Sequence, residues 1–220
     1  MLKLQNISLM TFVLLLALSC SKQEQLEKPQ STAEEIELRG KAVSQTTQVI
    51  NAVTGQVAGE ARLVRNDNGI TMQFEANDLI PSHTYTIWWV VWNKPENCAG
   101  SPCADTDFAL PVEVEVLYAA GHVVGGSGKG KFTGHLKVGD DSESINALFG
   151  LPPAGGLQDA RAAEIHLVLR SHGPKIPGLV NEQISSYEGG CTTNFPPFTA
   201  IPTAEGECGD FEFAIFLPVS

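Results

Sequence analysis

The chain has 220 residues and is acidic, with 25 Asp and Glu against 14 Lys and Arg for a formal net charge of −11. That balance excludes nucleic acid as a partner, because phosphate recognition needs concentrated positive charge. It also leaves no basic face for a membrane surface, so any membrane association has to come from elsewhere.

Lys3 supplies a short positive start, and Ile7 to Leu18 is an apolar run shorter than the roughly 20 residues a spanning helix needs. Residues 1–20 therefore read as a targeting segment. Its end, Ala17-Leu18-Ser19-Cys20, resembles a bacterial lipobox. That family usually has leucine where Ala17 stands, a departure that Bacteroidota-type lipoproteins tolerate. The resemblance implies that Cys20 is acylated and becomes the new first residue, so that a lipid anchor holds the protein to a membrane. Ser21, where lipoproteins kept at the inner membrane carry aspartate, implies the outer membrane. SKQEQ is similar to the short acidic signals that send some lipoproteins to the cell surface, with an orientation toward the periplasm left open. Residues 21–41 are polar and glutamate-rich and read as a tether, in which Ser31 to Glu34 has the form of a helix-capping box.

Residues 42–220 read as a single β domain. Glu60 to Arg65 is a candidate strand, Asp67-Asn68-Gly69 is a turn signal, and Ile70, Met72, Phe74 and Ala76 alternate with Thr71, Gln73 and Glu75. The run from Thr84 to Trp92 holds all three tryptophans and no charge, the composition of a strand buried on both faces. Tyr85, Ile87, Trp89 and Val91 fall on one side of it, and Thr86, Trp88, Val90 and Trp92 on the other. Val112, Val114 and Val116 oppose Glu113 and Glu115 in a further half-buried strand. GGSGKG then separates this strand from KFTGHLKV, which predicts a hairpin with a flexible tip. In KFTGHLKV, Phe132, Leu136 and Val138 face one way, and Lys131, His135 and Lys137 the other. Residues 140–160 form a connection with one helical turn, and Ile165, Leu167 and Leu169 are the core face of a strong strand. NEQISSY is a candidate short helix, and DFEFAIFL closes the domain with Phe211, Phe213, Ile215 and Leu217 on one face. The fold class is all-β, an antiparallel β-sandwich or barrel of about seven to eight strands.

Of five cysteines, Cys20 is assigned to the lipid, and Cys98, Cys103, Cys191 and Cys208 form an even set suited to disulfides in an oxidising compartment. The local pairing, Cys98 with Cys103 and Cys191 with Cys208, closes the shortest loops. No CxxC is present to favour a zinc–thiolate site.

Several groups are candidates for chemistry. GGSGKG fails as a phosphate loop, because Gly130 follows Lys129 where serine or threonine is required and a strand follows where a helix should open. Alternation on the strand from Ala163 sends Glu164, His166, Arg170 and His172 to one face, which could seed a divalent metal site with His122, His135 or His83. His166 and His172 lie roughly 20 Å apart on an extended strand, so one ion takes both only if the chain bends before His172. The plainer reading of that face is polar surface with Arg170 paired to an acid. Ser171 has no nucleophile elbow around it. Glu113 and Glu115 fall on a face that reads as solvated, and Asp140 and Asp141 in a turn. Trp88 and Trp92, if open to solvent, would form a platform for sugar rings, the alternative being a core role.

HTYTIWWVVWNKPENC and AEIHLVLRSHGPKIPG resemble segments of a group of secreted bacterial β-domain proteins with a tryptophan strand, a cysteine loop and a late R-[ST]-H-G-P segment. Glu164-Ile165-His166 is also similar to a histidine segment of chordin-like secreted domains, which carry two histidines where this chain has one. Neither resemblance implies an activity. The expected function is a lipid-anchored cell-envelope binding or structural module that needs no cofactor. A glycan or envelope protein is its expected partner, and membership of a larger envelope complex is a further option. The alternative is a metal-dependent envelope enzyme using Glu164, His166 and His172.

Overall fold

The computed structural model describes residues 41–219. The acylation, targeting segment and tether expected from the sequence, including Cys20 and all residues up to 40, lie outside them. Nine strands are present among the described residues: β1 (Val43–Asn51), β2 (Gln56–Asn66), β3 (Gly69–Ala76), β4 (His83–Trp92), β5 (Val114–Val123), β6 (Gly130–Lys137), β7 (Glu164–Pro174), β8 (Thr193–Asn194) and β9 (Glu207–Phe216). One short α-helix, α1, spans Val180–Gln183, beside three 3-10 turns at Pro95–Asn97, Asp105–Ala109 and Asn146–Phe149. Eight strands form an antiparallel sheet in the order β5-β4-β7-β9-β1-β2-β3-β6, and its edges β5 and β6 meet to make a nearly closed barrel. The two-residue β8 adds to β9 in parallel.

β4 is buried along its whole length, as its uncharged β-branched and aromatic sequence requires. Tyr85, Ile87, Trp89 and Val91 point into the barrel, where they meet Ile165, Leu167 and Leu169 of β7 and Met72 and Phe74 of β3. The outer face of β4 lies beneath long loops, and Val90 and Trp92 pack there with Val112, Val114 and Val116. On the far side of the barrel, Thr71, Gln73 and Glu75 of β3 and Lys131 and His135 of β6 face water, as alternation predicts.

Three sequence expectations are corrected. β5 and β6 do not form a hairpin: β5 pairs with β4 and β6 with β3. They are the two edges of the sheet, and side chains fill the seam between them. His122 stacks on Phe132 with ring centroids 4.5 Å apart, and Gly134 lies so close to β5 that a Cβ would sit 3.2 Å from the Ala119 carbonyl. On β9 the register against β7 shifts where Arg170 pairs with Asp210 and Leu169 with Glu212. This bulge breaks the alternation, so that Phe211, Ala214 and Phe216 are core while Phe213 and Ile215 turn outward and Leu217 is exposed. Glu115 is fully buried, accepting the Ser144 hydroxyl and the amides of Ala154 and Gly156 at 2.9 and 3.0 Å. β1 carries no strong sequence signal, because Gln45 and Thr47 occupy its inward positions beside Val43 and Val49.

The two ends of the barrel differ. One is closed by the β6–β7 loop, whose Leu157 and Ala160 enter the core, and by Arg65, a fully buried side chain in the inward row of β2. Arg65 donates from Nη1 to the carbonyls of Ala160 and Ala163, both at 2.8 Å, and from Nη2 to those of Phe216 and Leu217, both at 3.2 Å. Its Nε donates to Gln45 Oε1 at 2.7 Å. Burial pulls its pKa down to about 10, against the opposing charges of Asp159 and Glu164, so the guanidinium stays ionised. Five donors meeting five acceptors tie β2, β1, β7 and the chain end together. Arg65→Met is expected to lower unfolding free energy by at least about 3 kcal/mol in urea titrations, because the buried carbonyls of Ala160, Ala163 and Phe216 lose their donor.

Candidate functional site

The outer face of β4, β7 and β9 is where three loops converge. Residues 93–113 bring Phe108 over Trp92, residues 138–163 bring Phe149, and residues 175–206 bring Tyr187 and Phe198. Between them a groove opens over a floor of Val90 and Val168, with two connected lobes of about 400 and 210 Å³. Half-buried Phe108, Phe198 and Phe213 wall it, and Asp105 is exposed at its rim. The buried Nε1–H of Trp92, whose side chain lines the larger lobe, has no hydrogen-bond partner among the described residues.

Buried acids pin these loops to the sheet. Glu164 accepts the Cys103 amide at 2.8 Å and the His166 Nε2–H at 2.6 Å. Asp210 accepts from Arg170 Nη1 and from the Tyr187 hydroxyl, both at 2.9 Å. The Arg170 guanidinium also lies 3.9 Å over the Tyr187 ring, and burial followed by the Asp210 charge pushes the Tyr187 phenol pKa up. Phe198 holds a left-handed backbone, φ 61°, and donates its amide to the Asp210 carbonyl at 2.7 Å. A bulky side chain in that region costs of order 1–3 kcal/mol and persists only where its surroundings impose it. Here the strain sets a phenyl ring against Phe213 in the groove wall.

The sequence candidates divide. Trp88 and Trp92 do not form an open platform, being 2% and 1% exposed. Trp88 is clamped edge-on by Tyr118 and Tyr187, and Trp92 packs on Phe108 and His166. Both indoles are walls of the groove beneath rings that the sequence did not single out. Phe213 was legible as part of a strand, but Phe108 lies in a short 3-10 turn (Asp105–Ala109) and Phe198 in an irregular loop, and the sequence analysis singled out neither.

The proposed metal set does not assemble. Glu164 and His166 are hydrogen-bonded, whereas β7 runs straight to Pro174, so His172 stays at the other end of the strand. His122 lies in the barrel seam, His135 pairs with Thr71 on the solvated face, and His83 stacks on Tyr85. Arg170 is paired to Asp210, as the plainer reading expected, but the pair is buried beneath the loops and not at the surface. Cys98–Cys103 and Cys191–Cys208 are both disulfides, in the local pairing. Two groups of metal-ligating residue types do lie within 4.8 Å among the described residues, His172 with Cys191 and Cys208, and Cys98 and Cys103 with Asp107. Each contains a disulfide, whose sulfurs are not thiolates.

His172 has a structural role with a defined tautomer. Trp88 Nε1–H donates to Thr86 Oγ1 at 2.8 Å, the Thr86 hydroxyl to His172 Nε2 at 2.9 Å, and His172 Nδ1–H to the Gly189 carbonyl at 3.0 Å. A carbonyl only accepts, so Nδ1 carries the proton. Burial, and then the Arg170 charge, push the His172 pKa down to about 3 against the Gly189 hydrogen bond. Comparison with protein-family models, curated proteins and solved structures finds no match to this chain.

The unfolded chain protonates His172 near its ordinary value of 6.5 while the folded protein resists to about 3. Stability is therefore lost as pH falls through that window. His172→Gln is expected to flatten the unfolding free energy between pH 6 and 4 by up to about 1.4 kcal/mol per pH unit, measured by urea titration at each pH.

Proposed function

We propose that this protein is a binding module of the cell envelope, held at the outer membrane or cell surface by a lipid on Cys20, with the outer-face groove as its ligand site. The observation that carries the reading is Phe198, held at a strained φ of 61° to present its ring beside Phe108 and Phe213. Strain kept in a loop is accounted for when the position it enforces is used. The groove combines aromatic walls, an unpartnered indole N–H and a rim carboxylate on Asp105. That chemistry suits a saccharide ring, whose apolar C–H face packs on phenyl rings while its hydroxyls meet Trp92 Nε1–H and Asp105.

Binding of neutral envelope oligosaccharides to the full chain in mild detergent, followed by calorimetry, tests the ligand assignment. Phe198→Gly removes the ring and the strain together, and is expected to cost at least tenfold in affinity while leaving unfolding free energy within about 1 kcal/mol of the parent. Trp92→Phe, which deletes only the N–H, is expected to weaken binding about fivefold. Full affinity in both variants would refute the groove as the site. For the anchor, Cys20→Ala is expected to abolish incorporation of an alkyne-labelled fatty acid and to move the protein from the membrane to the soluble fraction. A labelled, membrane-bound variant would refute it.

A further inference from the structure

The barrel end away from Arg65 holds a separate cavity of about 390 Å³. Its walls are mainly apolar, from Val57, Leu79, Ile80, Ile201 and Phe211. Glu212 is the buried acid among them, 2% exposed, and the β9 bulge turns it to the barrel side with Phe211. The Asn51 side chain lies beside the Glu212 carboxyl and favours its ionised form. Asn51 Oδ1 already accepts the amides of Val53 and Thr54, both at 3.1 Å, so Nδ2 is the group left to donate. Glu212 Oε2 is buried with no hydrogen-bond partner among the described residues.

A buried carboxylate oxygen without a donor is costly, and a native structure retains one where something else completes it. Among the described residues the lining contains no Lys, Arg or His. Its other titratable groups are Asp78 at the rim and Tyr85, whose hydroxyl accepts the Ile80 amide at 3.0 Å and whose pKa burial raises to about 12. Asp78 at the rim and the net charge of −11 favour a cation over an anion at this mouth, and Glu212 adds its own charge once its proton leaves. A hard metal ion is a poor fit, since calcium takes six to eight oxygens and the buried groups here offer one free carboxylate oxygen. An organic cation needs only one charge partner and apolar surface for its body.

We propose that the barrel mouth is a binding site for a small organic amine, with its ammonium on Glu212 Oε2 and its apolar body against Phe211 and Ile80. This site is independent of the outer groove. The cavity is of the size that takes small ligands. Burial first, and Asp78 second, push the Glu212 pKa up to about 8 against the neighbouring Asn51 side chain, so an arriving ammonium displaces a proton at neutral pH.

The test is calorimetric titration of benzylammonium, with benzyl alcohol as its neutral match, into the full chain in mild detergent from pH 6 to 8.5. The expected result is benzylammonium binding that tightens about tenfold per pH unit below 8 and then levels, with benzyl alcohol at least tenfold weaker. Glu212→Gln is expected to lose at least tenfold in affinity together with the pH slope, and Phe198→Gly to keep both. No benzylammonium binding, equal binding of the alcohol, or a flat pH profile in the parent protein would each overturn the assignment, whether or not Glu212→Gln folds. A folded Glu212→Gln that binds normally would overturn it as well.

Discussion

Burial of β4 on both faces is the constraint on which the rest of the molecule depends. A ten-residue strand with no exposed position needs cover on two sides. The barrel provides one side by bringing β3 across from Trp89 while the neighbouring β7 packs alongside, and the loops provide the other over Trp88 and Trp92. This explains why the molecule is lopsided, with short turns and solvated strands on the β2–β3–β6 side and long disulfide-bearing loops on the β4–β7–β9 side. The cover over the outer face is made of irregular chain, and irregular chain leaves gaps. The groove lies in such a gap, between loops that the two-sided strand itself makes necessary.

Charge inside the protein is arranged to hold those covers. Glu115, Glu164 and Asp210 are buried acids, each bonded to a different loop, and Arg65 closes one barrel end with every donor matched. A charged group costs much free energy to bury unless its lone pairs or protons are met, so each fixes the geometry of whatever meets it. Glu212 departs from this pattern. It shares the burial of the others but has one oxygen unmatched, and it lies at the barrel end that no Arg65 equivalent plugs. The contrast between the ends, one satisfied by protein and one not, is the physical basis for assigning a ligand to the second.

The strands of this fold were legible because their signal is local. Alternation in Ile70 to Ala76 and in Ile165 to Leu169 needs only one polar and one apolar face, and both segments form as read. The reading failed where a non-local event reset the pattern. The β9 bulge moved Phe213 outward and Glu212 inward, and the pairing of β5 with β4 in place of β6 turned an expected hairpin into the barrel seam. Glu113 and Glu115 look alike in alternation with valines, yet Glu115 is buried because residues 144–156 return to cap it. The candidate site was half legible. Trp88, Trp92 and His166 were singled out and do border it, while Glu164 lies buried behind His166, and the rings that face its opening come mostly from loops.

Sequence alone determined the class of structure and its staples. Composition and period-two patterning specify antiparallel strands, an uncharged strand specifies two-sided burial, and an even set of closely spaced cysteines favours local disulfides. Those properties reside in a few neighbouring residues. Only the tertiary structure decided which histidines meet, which carboxylates are satisfied and where the cavities open. His166 reaches Glu164 and His172 does not, because β7 stays extended. Glu212 faces a cavity because of one extra residue in a ladder, and Phe198 enters the groove because a distant carbonyl on Asp210 holds its backbone. The last two are settled by contacts between different strands and loops, and local pattern carries no record of them.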